Sequence, residues 1–94
     1  MILDTDEEIL GKVKRRMDAI KSLEIELPHA ISDLDARRDT VIVKLNFFVH
    51  YFDSDKIELW STIVDFSNLP ESYEKVLNVL KDIIETKGAY ITFY

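Results

Sequence analysis

The sequence predicts an α+β domain: a two-layer sandwich in which two helices cover one face of a mainly antiparallel sheet of about four strands, in the order α-β-β-β-α-β. Two segments, residues 9–20 and 73–84, carry apolar residues in a single stripe at helical spacing. A period of two runs through residues 40–66 on both sides of a short polar break. The 94 residues are 47% hydrophobic, which is enough for one core and predicts a single domain over 1–94.

The first helix is predicted over residues 5–22. Thr5-Asp6-Glu7-Glu8 has the form of a capping box, in which Thr5 accepts a backbone amide proton and Glu8 reaches back. Acidic residues in the first turn and basic residues further along match the helix dipole. The apolar stripe consists of Ile9, Leu10, Val13, Met17 and Ile20.

The segment after this helix changes to a period of two. Residues 23–27 alternate apolar and acidic side chains, which predicts a strand that Pro28 either restricts to a sheet edge or ends. Residues 28–39 have two interpretations. They extend that strand and turn at 35–39, or they form an irregular loop with a helical turn.

A long hairpin is predicted from strands 40–52 and 56–66, joined at Asp53-Ser54-Asp55. Every odd position of the first strand is apolar, and because successive side chains point to opposite faces, that face belongs to the core. The even positions mix large aromatics with polar groups, more aromatic surface than a solvated sheet face needs.

The second helix is predicted over 70–87, with Pro70 in its first turn and Gly88 directly after its end. Residues 89–94 then form the last strand. Ala89, Ile91 and Phe93 are expected on one face and Tyr90, Thr92 and Tyr94 on the other.

The register of the hairpin decides what its second face presents. We prefer the register that a three-residue loop gives, which pairs His50 with Glu58 and Phe48 with Trp60 on the outer face. The alternative moves the second strand by one residue. It places Trp60, Val64, Phe66 and Glu58 on the core side, turns Leu59 and Ile63 outward, and pairs Lys44 with Asp65. The preference depends on the cost of burying Glu58 without a partner.

The preferred register predicts the members of the core. We expect one contiguous buried cluster of Val13, Met17, Val43, Leu45, Phe47, Leu59, Ile63, Leu77, Leu80, Ile84 and Ile91.

The same register predicts a partner-binding surface on the uncovered face of the sheet. Such an aromatic patch favours a homodimer first, then a different protein partner, because aromatics dominate interface hot spots. A small ligand or single-stranded nucleic acid stacking on the rings is the alternative. The candidate partner-binding residues are Phe48, His50, Phe52, Trp60, Tyr90 and Tyr94.

Composition narrows the function classes. The net charge of −6 disfavours nucleic acid, whose phosphates are bound by Lys and Arg. Cysteine is absent, which suits a cytoplasmic location, and no apolar stretch reaches the ~20 residues of a membrane span. His50 with Glu58 is the best acid–base pair, and a structural role is favoured for it. We therefore expect a non-enzymatic protein-interaction domain (adaptor, chaperone-like or inhibitor) with no cofactor and no metal.

Overall fold

A computed structural model describes the backbone of residues 2–94 and the side chains of residues 9–94. The strands form one antiparallel sheet in the order β2-β1-β3. The α+β class is therefore confirmed, with three strands in place of about four and the order α-β-β-α-β. The elements are α1 (Ile2–Arg37), β1 (Ile42–Tyr51), β2 (Ile57–Asp65), a 3-10 turn (Phe66–Asn68), α2 (Leu69–Lys87) and β3 (Ala89–Phe93).

The strand predicted over 23–27 is wrong, because α1 continues through Pro28 to Arg37. Both interpretations of residues 28–39 are wrong for the same reason. One face of this helix buries Leu23, Leu27, Ile31 and Leu34, each at most 9% exposed. Burying four such side chains contributes about 6–12 kcal/mol, at ~1.5–3 kcal/mol each. That exceeds the cost of about 3 kcal/mol for a proline inside a helix.

The predicted burial of Val13 and Met17 is also wrong, since these side chains are 46% and 53% exposed. At 1.5 Å per residue the 36 residues of α1 span about 54 Å. The ten residues of β1 span only about 33 Å. The first turns of α1 therefore extend beyond the sheet. The predicted contacts of the capping box at Thr5 and Glu8 involve side chains outside the described residues.

The core lies between the helices and one face of the sheet. Leu45, Phe47 and Val49 of the central strand β1 are at most 5% exposed and contact the buried faces of α1 and α2. Of the predicted core, Leu45, Phe47, Leu80, Ile84 and Ile91 are buried, and Val43 and Leu77 pack against them partly buried. Leu59 and Ile63 are each 55% exposed, so their predicted burial is wrong.

The cause of that error is the hairpin register. Phe47 lies opposite Trp60 and Ile42 opposite Asp65, so the preferred register is wrong. The faces follow the alternative, with Trp60 and Val64 on the helix side, although the Lys44–Asp65 pair of that alternative does not form. Between the strands the loop is longer than predicted, and the Tyr51 amide donates to the Lys56 carbonyl at 3.2 Å.

The cap of α2 and the last strand have the structure that the sequence predicts. Gly88 follows α2 with φ +65°, a left-handed conformation that favours glycine, and its amide donates to the Ile84 carbonyl at 3.1 Å. β3 then pairs with β1, placing Tyr90 opposite His50 and Thr92 opposite Phe48. Its two faces are those predicted, with Ala89 and Ile91 buried beneath the helices.

Candidate functional site: the open face of the sheet

Both helices cover the same face of the sheet, and the opposite face, which we call the open sheet face, is uncovered in the single chain. It is formed by the even residues of β1 and β3 and the odd residues of β2, as the two registers require. Five of the six candidate partner-binding residues come together on or beside this face.

These five residues form a continuous line of rings, the aromatic row: Tyr94, Phe48, His50, Tyr90 and Phe52. The Tyr94 and Phe48 ring centroids are 5.4 Å apart, and those of Phe48 and His50 are 6.4 Å apart. His50 and Tyr90 stack with centroids 4.5 Å apart and ring planes 3° from parallel. Phe52 lies 6.1 Å from Tyr90 at the end of the row. Tyr90 and Tyr94 are 42% and 67% exposed, so the row presents π surface to its surroundings.

The predicted His50–Glu58 pair is wrong, because the observed register places these residues on opposite faces. His50 Nε2 lies 2.8 Å from Thr92 Oγ1 and hydrogen-bonds with it. Glu58 instead accepts a hydrogen bond from the Tyr51 hydroxyl on the helix side. This bond, together with desolvation and the nearby carboxylate charge, raises the pKa of Tyr51 above its usual value. Tyr51 is the partner that allows Glu58 to face this side.

Trp60 is the candidate that the structure does not bring to the row. It lies on the helix side opposite Phe47, partly buried against the core. The Lys87 ammonium sits 5.6 Å from the centre of its ring, a cation–π contact from the end of α2. The wrong register alone accounts for its predicted place on the outer face.

The open sheet face also holds four apolar residues, which we call the aliphatic patch and which are 55–58% exposed: Ile42, Ile57, Leu59 and Ile63. Ile42 was expected on this face, whereas the preferred register placed the other three on the core side. Three belong to β2 and lie beside the aromatic row across β1. The signal that would have identified them is Tyr51, whose hydroxyl can satisfy Glu58 and so removes the objection to this arrangement of faces.

Charge is sparse on this surface. Among the described residues of the three strands, Lys44 and Asp65 are the ionised side chains that the registers place on the open sheet face. The Ser67 hydroxyl donates to Asp65 at 2.6 Å, and its backbone amide donates at 3.0 Å. These two bonds hold the pKa of Asp65 below its usual value. Lys56 points to the other side, near the Tyr51 ring.

Two structural features that other kinds of site require were considered over the part of the chain that the structure describes, a metal-ligand cluster and a membrane-spanning helix. Within residues 9–94, no three His, Asp or Glu side chains are grouped so that they could hold a metal ion. Neither helix, over the residues that the structure describes, combines the length and apolar character needed to cross a membrane.

Comparison with known proteins does not assign the chain to a family. No protein-family model, curated protein or solved structure matches the chain.

Proposed function

We propose that this chain is a small acidic, non-catalytic protein-interaction domain that acts as a homodimer and binds protein on its open sheet face. The observation that carries the proposal is the composition of that face. The aromatic row and the aliphatic patch adjoin each other there, and the ionised groups are Lys44 and Asp65. Large exposed apolar patches of this kind mark interaction sites, because leaving them in water is unfavourable.

The face suits protein better than a charged ligand. Tyrosine and phenylalanine are enriched in the buried centres of protein interfaces, and charged residues are depleted there. A nucleic acid would need cations along its backbone path, and Lys44 is the cation that this face provides. The absence of cysteine from the sequence agrees with a cytoplasmic setting.

A second candidate is a binder of small aromatic ligands or single-stranded nucleic acid. The stacked His50–Tyr90 pair favours it, because planar bases stack on such rings. Retention on a single-stranded DNA or heparin column at low salt would favour this candidate. The proposed function predicts that the protein passes through both.

The open sheet face is tested by removing its rings without disturbing the core. In the Tyr90→Ser/Tyr94→Ser variant we expect binding of the protein partner, recovered by pull-down and identified by mass spectrometry, to weaken about tenfold or more. Ile25→Ser is the matched control. Ile25 is 63% exposed on α1, away from the sheet, so its loss should leave binding unchanged. Equal binding by the two variants would contradict the proposal.

The non-catalytic part of the proposal has its own test at His50. The side chain stacks on Tyr90 and bonds to Thr92, and the carboxylate that was to pair with it lies on the other face. Because the other rings of the aromatic row remain, we expect a folded His50→Gln protein to keep most of its partner binding and to support the cellular role of the chain. Loss of that role in a His50→Gln variant that still folds and still binds the partner would argue for chemistry at this position.

A further inference from the structure

The outer edge of β2 carries backbone groups that nothing in the described chain pairs. The Phe66 amide donates to the Val41 carbonyl and the Tyr51 amide to the Lys56 carbonyl, so even residues on the β2 side bond to β1. Backbone groups alternate in direction along a strand, and the odd residues of β2 therefore point to the free edge. The Asp65 amide confirms this direction, because it donates to Ser72 Oγ of α2 at 2.8 Å instead of to a strand.

Four consecutive odd residues remain free along this edge: Ile57, Leu59, Ser61 and Ile63. Natural edge strands are usually protected by proline, by a bulge, by inward charges or by shortness. β2 is nine residues long, pairs with β1 without a break, and contains no proline. Its one inward-facing charge, Glu58, accepts a hydrogen bond from Tyr51 within the chain. The free residues are apolar or small, so their side chains leave this edge accessible to another strand.

The neighbouring flank of α2 leaves this edge open. Glu71, Ser72 and Lys75 line a depression with Ile63 and Asp65, which places this flank of α2 at the β2 edge. Lys75 lies 3.9 Å from Glu71, so the charges at the start of the flank are balanced within the chain. Two helical turns after Ser72 the flank presents Val79, 46% exposed.

We propose that β2 pairs antiparallel with β2 of a second copy of this chain, joining two three-stranded sheets into one of six strands. The pairing is centred on Trp60, with Leu59 opposite Ser61 of the second copy and Ile57 opposite its Ile63. In this register all four free residues exchange hydrogen bonds, about eight in total at two per pair. Glu58 faces Thr62 of the second copy, so no like charges oppose each other.

The second copy is the occupant because the edge is complementary to itself. A twofold axis through Trp60 places each free residue of one strand opposite a free residue of the other, and it brings the two α2 helices alongside in opposite directions. The pairing rests on the proposed homodimer and assigns its contact to the β2 edge, and the open sheet faces of the two copies become one larger binding surface.

The edge is tested by removing one outward amide. Ser61→Pro deletes an N–H that has no partner among the residues the structure describes, and proline is tolerated at such edge positions. We expect the variant to keep the fold, checked by thermal unfolding, while the dimer dissociation constant measured by analytical ultracentrifugation rises about tenfold or more. Ser61→Ala is the matched control, because it keeps the amide and should dimerise as the wild type does.

The outcomes separate this inference from the proposed function. Unchanged dimerisation in a folded Ser61→Pro protein, with loss of partner binding in Tyr90→Ser/Tyr94→Ser, overturns the edge pairing and leaves protein binding by the open sheet face standing. A wild-type chain that stays monomeric overturns the edge pairing and the homodimer together. Monomeric Ser61→Pro with dimeric Ser61→Ala supports the pairing.

A cross-linking measurement keeps the inference testable if Ser61→Pro does not fold. The sequence contains no cysteine, so introduced thiols report on one contact each. Opposite residues of a hydrogen-bonded pair have Cα atoms about 5.5 Å apart, within disulfide range. A mixture of Leu59→Cys and Ser61→Cys chains should therefore form mixed dimers under mild oxidation, and each variant alone should cross-link poorly. A dimer without the mixed cross-link would overturn the pairing.

Discussion

The two faces of the sheet are built from alternate residues of the same strands, yet they differ in what covers them. On the helix side Leu45, Phe47 and Val49 are at most 5% exposed. On the open side Leu59 and Ile63 are each 55% exposed, although they are as apolar as their buried neighbours, and Tyr94 is 67% exposed. The difference shows that alternating side chains identify a strand but do not say which of its faces is buried. Burial of a face depends on whether a helix of the chain packs over it.

Over residues 2–94 the chain forms two α-helices, and both pack on one side of the sheet. α1 packs against β3 and α2 against β2, so together they shield a single layer of the sheet. An apolar face that the chain itself does not cover is best explained by association, because its burial against protein releases ordered water. On this account the covered face supplies the stability of the domain and the open face supplies its binding.

Phe47 and Phe48 provide the strongest test of this contrast, because they are adjacent in β1 and lie on opposite faces. Phe47 is 1% exposed, and Phe47→Ala should lower the free energy of unfolding by about 3–5 kcal/mol. Phe48 is partly buried beside the rings of His50 and Tyr94, so Phe48→Ala should cost less, about 1–2 kcal/mol. Urea unfolding at low protein concentration measures both. Equal losses would show that the two faces are equally buried and would remove the distinction.

Trp60 and Leu59 sharpen the comparison on β2. Trp60 packs partly buried on the helix side, so Trp60→Ala should reduce the free energy of unfolding by about 1–3 kcal/mol, less than a fully buried tryptophan would. Leu59→Ala should change it by about 0.5 kcal/mol or less. The reverse order in thermal unfolding of dilute samples would mean that the strand is shifted by one residue from the observed register.

The two glycines should respond with opposite signs. Gly88 has φ +65°, and a Cβ there would lie 3.3 Å from the Arg16 guanidinium, so Gly88→Ala should destabilise the protein by about 1–2 kcal/mol. Gly11 lies inside α1 with nothing within 4 Å of an added Cβ. Gly11→Ala should therefore stabilise by up to about 1 kcal/mol. Melting temperatures of the two variants are sufficient to compare them, and a Gly88→Ala protein as stable as the wild type would contradict the assignment of Gly88 as the helix cap.

The lowered pKa of Asp65 predicts that the free energy of unfolding depends modestly on pH. Because its pKa in the folded protein is held below the value of about 3.9 expected in the unfolded chain, its contribution is fully present above that value. The contribution is lost as the pH falls through the lower, folded pKa. Asp65→Asn should therefore be less stable than wild type at neutral pH, with the difference shrinking in acid. Asp55→Asn, in the exposed hairpin turn, is the control, and urea unfolding across the acid range measures both.

Much of the fold could be predicted because local patterns and tertiary packing agree there. The sequence pattern allows one interpretation for each of three features: the apolar stripe of α2, the left-handed cap at Gly88 and the two faces of β3. Residues 23–27 could not be read correctly, because Leu23 and Leu27 satisfy a period of two and a helical period together. Pro28 then favoured the strand, and only the burial of α1 against the sheet reverses that preference.

The face on which a candidate residue lies was predicted correctly where it depends on the alternation within one strand. Phe48, His50, Tyr90 and Tyr94 share a face because alternation within β1 and β3 fixes it. Trp60 was misplaced because its face depends on the length of a hairpin loop, which moves all of β2 together. The observed register was disfavoured because Glu58 was expected to be buried without a partner. The Tyr51 hydroxyl supplies that partner on the helix side.

The central claim, that two copies of this chain associate through the part of the sheet that the helices leave open, is tested most directly by the mass of the wild-type protein in solution. Sedimentation equilibrium over a wide concentration range should give twice the 11.0 kDa of one chain, with dissociation only on dilution. A mass of 11.0 kDa at every concentration would contradict the account, because neither the β2 edge nor the open sheet face would then join a second copy.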